Sequence, residues 1–117
     1  MTGMDATFEA LFVATDSPPD EAALLTEVLR AGSEPAGDGQ HLVSGLGTYL
    51  VIEPSSALKP SGTVTIWLRT ADAKAMHDEL VAAGCVSVEA AGRAGPETVA
   101  AVRTPQGLNL GLISGSA

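Results

Sequence analysis

The sequence is short of the residue types that most often carry chemistry. Its 117 residues include one cysteine, two histidines, one tryptophan, one tyrosine and two phenylalanines. A single cysteine, Cys85, cannot form a disulfide within the chain, which favours a reducing, cytoplasmic location. The serines at 44, 87 and 114 lack the Gly-x-Ser-x-Gly context of a nucleophile elbow, so the sequence does not predict a nucleophilic triad.

Basic side chains are also scarce. Six lysines and arginines stand against 14 aspartates and glutamates, which leaves a net charge of −8. Such a surface repels phosphates, so we expect neither nucleic acid nor an anionic membrane as a partner. No apolar run approaches the ~20 residues needed to cross a bilayer. With 45% apolar and 17% charged residues, the chain is typical of one globular domain.

The second half of the sequence shows the clearest pattern of elements. Gly62–Arg69 alternates as a strand, and Asp72–Ala83 has helical spacing and ends at Gly84. Three short strands are predicted after the helix, over Val86–Val88, Val99–Arg103 and Leu108–Ile113. This half is therefore predicted to be a β-α-β-β-β unit.

The first half repeats this order in a weaker form. A strand is predicted over 7–14, and a helix begins at Pro18 with Ser17 as its cap and ends at Gly32. The glycine-rich segment 33–40 is loop-like with room for a weak strand, and strands follow over 41–44 and 48–53.

Internal similarity supports a duplication. Glu27–Gly32 echoes Glu79–Gly84 at the ends of the two predicted helices. We predict an α+β fold of two β-α-β-β-β units, over about 7–53 and 63–113 and joined by a linker at 54–62. The alternative is a single ferredoxin-like unit with extra strands.

Strand alternation predicts which side chains lie under the helices. They are Phe8, Ala10, Phe12, Leu50, Ile52, Val64, Ile66, Leu68, Leu110 and Leu112. The opposite face mixes polar and apolar side chains, among them Glu9, Tyr49, Trp67, Arg69 and Asn109. A mixed inner face predicts a cup that binds a small molecule.

Two segments resemble the vicinal oxygen chelate superfamily, which includes glyoxalase I, bleomycin-resistance proteins and extradiol dioxygenases. They are the helix end Asp78–Gly84 and the segment Val102–Gly107, which is similar to the Asp-Pro-Asp-Gly turn of that superfamily. The resemblance implies a curved eight-stranded mixed sheet around a cup, with the helices outside, and a homodimer.

Metal-dependent members of the superfamily place one ligand on the first and last strand of each unit. The resemblance carries these positions to Glu9, Val51, Thr65 and Gly111, and a slip in the last strand of the first unit would offer Glu53 instead of Val51. Valine and glycine have no donor atoms in their side chains, and a divalent transition metal needs three or four good donors. We therefore expect no metal and no other cofactor.

Trp67 and Tyr49 are the two predicted walls of the cup, since flat amphipathic rings suit a planar or hydrophobic ligand. The alternative is that they fill the cup or lie at a dimer seam. Arg69 either pairs with Glu9 or holds an anionic group of the ligand, and Asn109 adds an amide on the same face. Glu9, in a partly apolar cup, would have a raised pKa and could act as a general base.

These observations lead to a metal-independent small-molecule-binding protein that sequesters a drug or metabolite. The alternative is a lyase, isomerase or dioxygenase of the same superfamily. A pure interaction module is a third possibility.

Overall fold

The computed structural model describes residues 5–29 and 31–115. The elements are β1 (Ala6–Thr15), α1 (Pro18–Leu29), β2 (Gly32–Gly37), β3 (Gln40–Ser44), β4 (Tyr49–Pro54), β5 (Val64–Thr70), α2 (Ala73–Ala82), β6 (Val86–Ala94), β7 (Glu97–Arg103) and β8 (Asn109–Gly115). This order confirms two successive β-α-β-β-β units. The strands form a mixed eight-stranded sheet in the order β2-β3-β4-β1-β5-β8-β7-β6.

The chain divides into two compact units. The N-terminal unit is Ala10–Val64, and the C-terminal unit is Thr65–Ala117 together with the start of the chain through Glu9. Within the described residues, neither helix is long and apolar enough to cross a membrane. The predicted cup is a relation between the two units and stays a prediction.

Helix α2 begins and ends where its sequence predicts. The side chain of Asp72 accepts a hydrogen bond of 3.0 Å from the backbone N–H of Ala75, which satisfies one of the free donors of the first turn. At the other end Gly84 has a φ of 117°, and the N–H of Cys85 donates to the carbonyl of Leu80 at 2.9 Å. A glycine adopts this left-handed conformation without steric cost, so the helix ends there.

The end of α1 differs from the prediction. The helix begins at Pro18 as predicted but its last residue is Leu29, and Gly32 opens strand β2 without a left-handed φ. The segment after Gly32 forms a hairpin with β3, and Gly37 and Gly39 supply positive φ values at its turn. Strand β6 is likewise longer than predicted, since register shifts against β7 interrupt its alternation.

The core under α2 confirms the predicted face of β5 and β8 at Leu68 and Leu112, whereas Val64, predicted on the same face, is 43% exposed. Leu112 is fully buried and belongs to a cluster with Ala73 and Met76 of α2, and Leu68 packs against this cluster. Burying such side chains contributes roughly 1.5–3 kcal/mol each. Leu68 and Leu112 are paired residues of two parallel strands, so one register places both under the helix.

The predicted face of β1 is wrong within the N-terminal unit. The core under α1 contains Ile52, with Leu50 packed against it. Strand β1 pairs with β4 so that Leu11 lies beside Leu50 and Val13 beside Ile52, which places Leu11 and Val13 on the α1 side. Ala10 and Phe12 therefore lie on the other face.

The error in β1 has a simple physical cause. From Ala10 to Ala14 the strand is apolar on both faces, so alternation fixes its period but not its phase. Only the pairing with β4 decides which half of the residues meets the helix. Phe8, also expected under the helices, is 51% exposed.

We define the far face as the face of the C-terminal unit that points away from α2. It includes Trp67 and Gly111, which are paired on β5 and β8 and alternate with Leu68 and Leu112. The indole of Trp67 lies directly on the backbone of Gly111, and a Cβ atom added at Gly111 would overlap three carbons of the ring. Glycine is thus required at position 111 because the indole of Trp67 approaches its backbone closely, and not because the backbone there has a positive φ.

The cap of α2 generates a first prediction. Replacing Asp72 by alanine removes the acceptor for the Ala75 N–H, which costs about 1 kcal/mol of unfolding free energy. Urea unfolding followed by circular dichroism measures this loss. Asp72→Asn is the matched control, because asparagine caps a helix about as well as aspartate, and it should unfold at the wild-type midpoint. An unchanged midpoint for Asp72→Ala would contradict the capping role.

The contact between Trp67 and Gly111 generates a second prediction. Gly111→Ala should destabilise the protein by about 1–3 kcal/mol, because the new methyl group overlaps the indole. The unfolding free energy from urea denaturation measures the effect. Gly92→Ala is the control, since a Cβ at this strand glycine would meet the carbonyl oxygen of Ala90 at 3.9 Å, an ordinary van der Waals contact. It should change stability by less than about 0.5 kcal/mol.

The double variant makes this test specific. In a Trp67→Ala background the space above residue 111 is empty, so adding Gly111→Ala should cause no further loss of stability. An equal loss in both backgrounds would show that the indole is not the reason for the glycine.

Candidate functional site

The far face is organised as rows of paired residues across β5, β8 and β7. The central row contains Trp67, Gly111 and Ala101, so small residues lie beside the indole. One neighbouring row is Thr65, Asn109 and Arg103, and the other is Arg69, Ile113 and Val99. Trp67 therefore lies between two arginine-bearing rows, each ~6–7 Å away along the strands.

Arg69 is held by two carboxylates. Its guanidinium donates to Glu9 through Nε at 3.1 Å and Nη2 at 2.9 Å, and Nη2 also donates to Glu97 at 2.7 Å. The ion pair between Arg69 and Glu9 is one of the two alternatives that the sequence offered. Glu97 was missed, because it reaches Arg69 from a strand whose register the sequence does not specify. The three side chains carry a net charge of −1.

The expected raised pKa of Glu9 is wrong. Hydrogen bonds from the guanidinium of Arg69, and its positive charge, lower the pKa of the Glu9 carboxyl despite the opposing effect of burial. The same two carboxylates raise the pKa of Arg69. Both oxygens of Glu9 are engaged by Arg69, so this carboxylate is a weak base.

Arg103 is a far-face residue that was not predicted from the sequence. Its Nε donates to Oδ1 of Asn109 at 2.9 Å, and the two residues are paired across β7 and β8. An amide is neutral, so this contact orients the guanidinium without cancelling its charge. Strand alternation in the sequence is the signal that could have predicted this position. Apolar Val102 lies on the α2 side, so its neighbour Arg103 lies on the opposite face.

Tyr49 belongs to the N-terminal unit. It is 61% exposed and lines a shallow depression of about 280 Å³ together with Ser44, Gly45, Gly47 and Thr48. The four other predicted ligand-binding residues, Glu9, Trp67, Arg69 and Asn109, belong to the C-terminal unit. A role for any of the five in ligand binding stays a prediction.

A second depression, of about 390 Å³, lies beside Arg69 in the C-terminal unit. It is lined by Asp5, Ala6, Thr7, Arg69, Thr70 and Ala71. The charge cluster of Arg69 thus borders open space at one end of the far face.

The residues at the positions implied for metal ligands do not fit a metal ion. Thr65 is buried and neutral, and Gly111 has no side chain and is covered by the indole of Trp67. Glu9 is committed to Arg69, and Val51 in the N-terminal unit has no donor. Across residues 5–29 and 31–115, no three His, Cys, Asp or Glu side chains are grouped so that they could hold a metal.

Each histidine lies on the helix side of its own unit. His41 pairs with Ile52, which places it on the α1 side of the N-terminal unit. His77 is on α2 and is 7% exposed.

Comparison with known proteins gives matches in structure alone. No family model matches the sequence, and no curated protein matches it. A glyoxalase/bleomycin resistance protein/dioxygenase superfamily member from Vibrio splendidus 12B01 superposes with a TM-score of 0.72 at 12% identity, covering 97% of this chain and 100% of that one.

Two further solved structures are named for different enzymes. An NAD-dependent benzaldehyde dehydrogenase from Legionella pneumophila gives a TM-score of 0.71 at 8% identity over 92% of this chain and 98% of that one. Methylmalonyl-CoA epimerase from Mycobacterium tuberculosis gives 0.63 at 16% identity over 94% and 88%. Identities this low establish the fold and no activity. The resemblance predicted from the sequence is confirmed at this level: the chain has the fold of the glyoxalase/bleomycin resistance/dioxygenase superfamily, the vicinal oxygen chelate fold.

Proposed function

We propose that this protein binds a small planar molecule on the far face without a metal ion, in the manner of the sequestering proteins of this fold. The observation that carries the proposal is the indole of Trp67 lying on Gly111. By the resemblance, position 111 carries a metal ligand in a metal-dependent relative, whereas this chain has a glycine there. The indole of Trp67 occupies the space that a side chain at this position would fill.

The charges around Trp67 favour a planar ligand that carries an anionic group. On one side Arg69 is more than neutralised by Glu9 and Glu97. On the other side Arg103 is oriented by a neutral amide and keeps its positive charge. A ring stacked on the indole would therefore be drawn with its anionic group toward Arg103.

Enzyme activity through Glu9 is the less supported alternative. A general base must be able to accept a proton near neutral pH, and its efficiency depends on a pKa close to the working pH. The lowered pKa of Glu9 and the engagement of both its oxygens by Arg69 work against this role. A lyase, isomerase or dioxygenase would need a different catalytic group.

Calorimetric titration with 1-naphthoate, a planar anion, tests the proposal. Trp67→Ala should weaken binding by about tenfold, since loss of the ring removes stacking worth about 0.5–1.5 kcal/mol in addition to its buried area. Trp67→Phe is the matched control and should retain most of the affinity. Circular dichroism must show that both variants are folded. Wild-type affinity in Trp67→Ala would contradict the assignment of the far face as the site.

Arg103 provides a separate prediction. Arg103→Gln should weaken binding of 1-naphthoate by about tenfold or more, because a hydrogen bond to a charged group contributes about 1.5–3 kcal/mol. Binding of the neutral 1-naphthamide should be unaffected. Arg93→Gln, at an exposed arginine that donates to the carbonyl of Gly95, serves as the charge-matched control.

Metal independence is checked in the same titration. Addition of EDTA should leave the affinity for 1-naphthoate unchanged. Loss of binding with EDTA, restored by a divalent ion, would reject the metal-independent mechanism.

A further inference from the structure

A chain of hydrogen bonds links three side chains on the α2 side of the C-terminal unit, away from the far face. His77 Nε2 lies 2.7 Å from Oγ of Ser87, and His77 Nδ1 lies 3.0 Å from Oδ1 of Asp78. The imidazole is 7% exposed, whereas Ser87 is exposed and the side chain of Asp78 is 55% exposed. A buried histidine thus joins an accessible hydroxyl to a carboxylate.

The local fold brings these residues together. Gly84 ends α2 and reverses the chain, so β6 starts at Val86 and runs back beside the helix. Ser87 pairs with Val102, and Val102 pairs with Leu110. Leu110 alternates with the far-face residues Asn109 and Gly111, so this row lies on the α2 side, where Ser87 meets His77. Sequence motifs did not reveal the arrangement, because the hydroxyl and the base come from different elements.

The direction of each hydrogen bond follows from the chemistry of the groups. An ionised carboxylate can only accept, so in the neutral imidazole Nδ1 carries the proton that bonds to Asp78. Nε2 is then a free lone pair, and the hydroxyl of Ser87 must be the donor. This is the arrangement in which a histidine removes the proton of an attacking serine.

The carboxylate of Asp78 is kept ionised by its neighbours. Lys74 Nζ lies 2.8 Å from Oδ2, leaving Oδ1 for His77. Hydrogen bonds from Lys74 and then from His77 lower the pKa of Asp78. Asp78 therefore remains an acceptor near neutral pH and holds the imidazole in the required tautomer.

We propose that Ser87 is an activated nucleophile for small activated esters, with His77 as its general base and Asp78 as a positioning residue. Oγ of Ser87 forms a bond to the carbonyl carbon as its proton passes to Nε2 of His77. The bond to the alcohol oxygen breaks, and that oxygen takes the proton from His77. Water gives a proton to His77 and its oxygen forms a bond to the acyl carbon. The bond from that carbon to Oγ of Ser87 breaks, Oγ takes the proton back from His77, and the acid leaves, so ester and water yield acid and alcohol.

The strand irregularity next to Ser87 supplies a candidate hydrogen-bond donor for the negative charge that develops on the carbonyl oxygen of the ester. Ser87 pairs with Val102 and Glu89 with Ala101, so in the described pairing Val88 stands opposite no residue of β7. The backbone N–H of Val88 directly follows the nucleophile. Backbone N–H groups that are aimed at a developing oxyanion stabilise it.

A fluorophosphonate tests the nucleophile directly, since attack by Oγ forms a stable O–P bond and expels fluoride while the proton passes to His77. Intact mass spectrometry measures the labelling rate, and peptide sequencing locates the adduct. We expect one adduct, on Ser87, and none in Ser87→Ala. Ser33→Ala, at an exposed serine of β2, is the matched control and should label at the wild-type rate.

Variants of the partners test the mechanism. His77→Gln should slow labelling by about 10² or more, the usual contribution of a general base. Asp78→Asn should slow it by about tenfold, less than for a fully buried carboxylate because this side chain is 55% exposed. Glu79→Gln is the matched control, because it removes a neighbouring exposed carboxylate of α2, and it should label at the wild-type rate.

Nitrogen NMR of the imidazoles separates positioning from mere structure. Wild-type His77 should be in the Nδ1–H tautomer, and Asp78→Asn should shift the tautomer equilibrium because an amide can donate to Nδ1. The chain has two histidines, so a His41→Gln variant assigns the signals.

The labelling results either support or overturn the proposal. Labelling of Ser87 that depends on His77 and Asp78, with circular dichroism showing folded variants, supports the proposal. An unlabelled Ser87 in the wild type, or equal labelling in the exposed-site variant Asp78→Asn, overturns it. Binding of 1-naphthoate on the far face is independent of either outcome.

Discussion

The parallel pairing of β5 with β8 is the constraint on which the C-terminal unit depends. One register places Leu68 and Leu112 under α2 and, on the alternate residues, Trp67 beside Gly111. A shift by one residue would move the indole into the space of the helix core and expose the leucines. The core and the candidate site are therefore set by the same hydrogen bonds, and neither can change its register alone.

The glycine at 111 shows how one small residue changes what a fold can do. In a metal-dependent protein of this fold a side chain at this position would supply a donor atom, but here the indole of Trp67 covers the backbone. In the proposed function this ring, and not an ion, is the feature that a ligand meets. Stacking has little directional demand, whereas metal coordination demands several donors, so this exchange favours binding of planar molecules.

The two ends of the far face differ in net charge. Arg69 is bound by two carboxylates and Arg103 by a neutral amide, although the two arginines come from the same face of one unit. The excess negative charge at one end and positive charge at the other end would orient a polar ligand across Trp67. The α2 side carries the separate chain of Asp78, His77 and Ser87, so the two faces of one small unit offer different chemistry.

The sequence by itself determined the elements whose signals are local. The cap at Asp72, the end of α2 at Gly84 and the order of strands and helices follow from backbone preferences that act over a few residues. The tertiary structure decided what depends on pairing between distant residues. It set the phase of β1, joined Glu97 to Arg69 and brought Ser87 to His77. Alternation gives a period of two but no origin, and a side-chain contact across strands exists only once the register has been chosen.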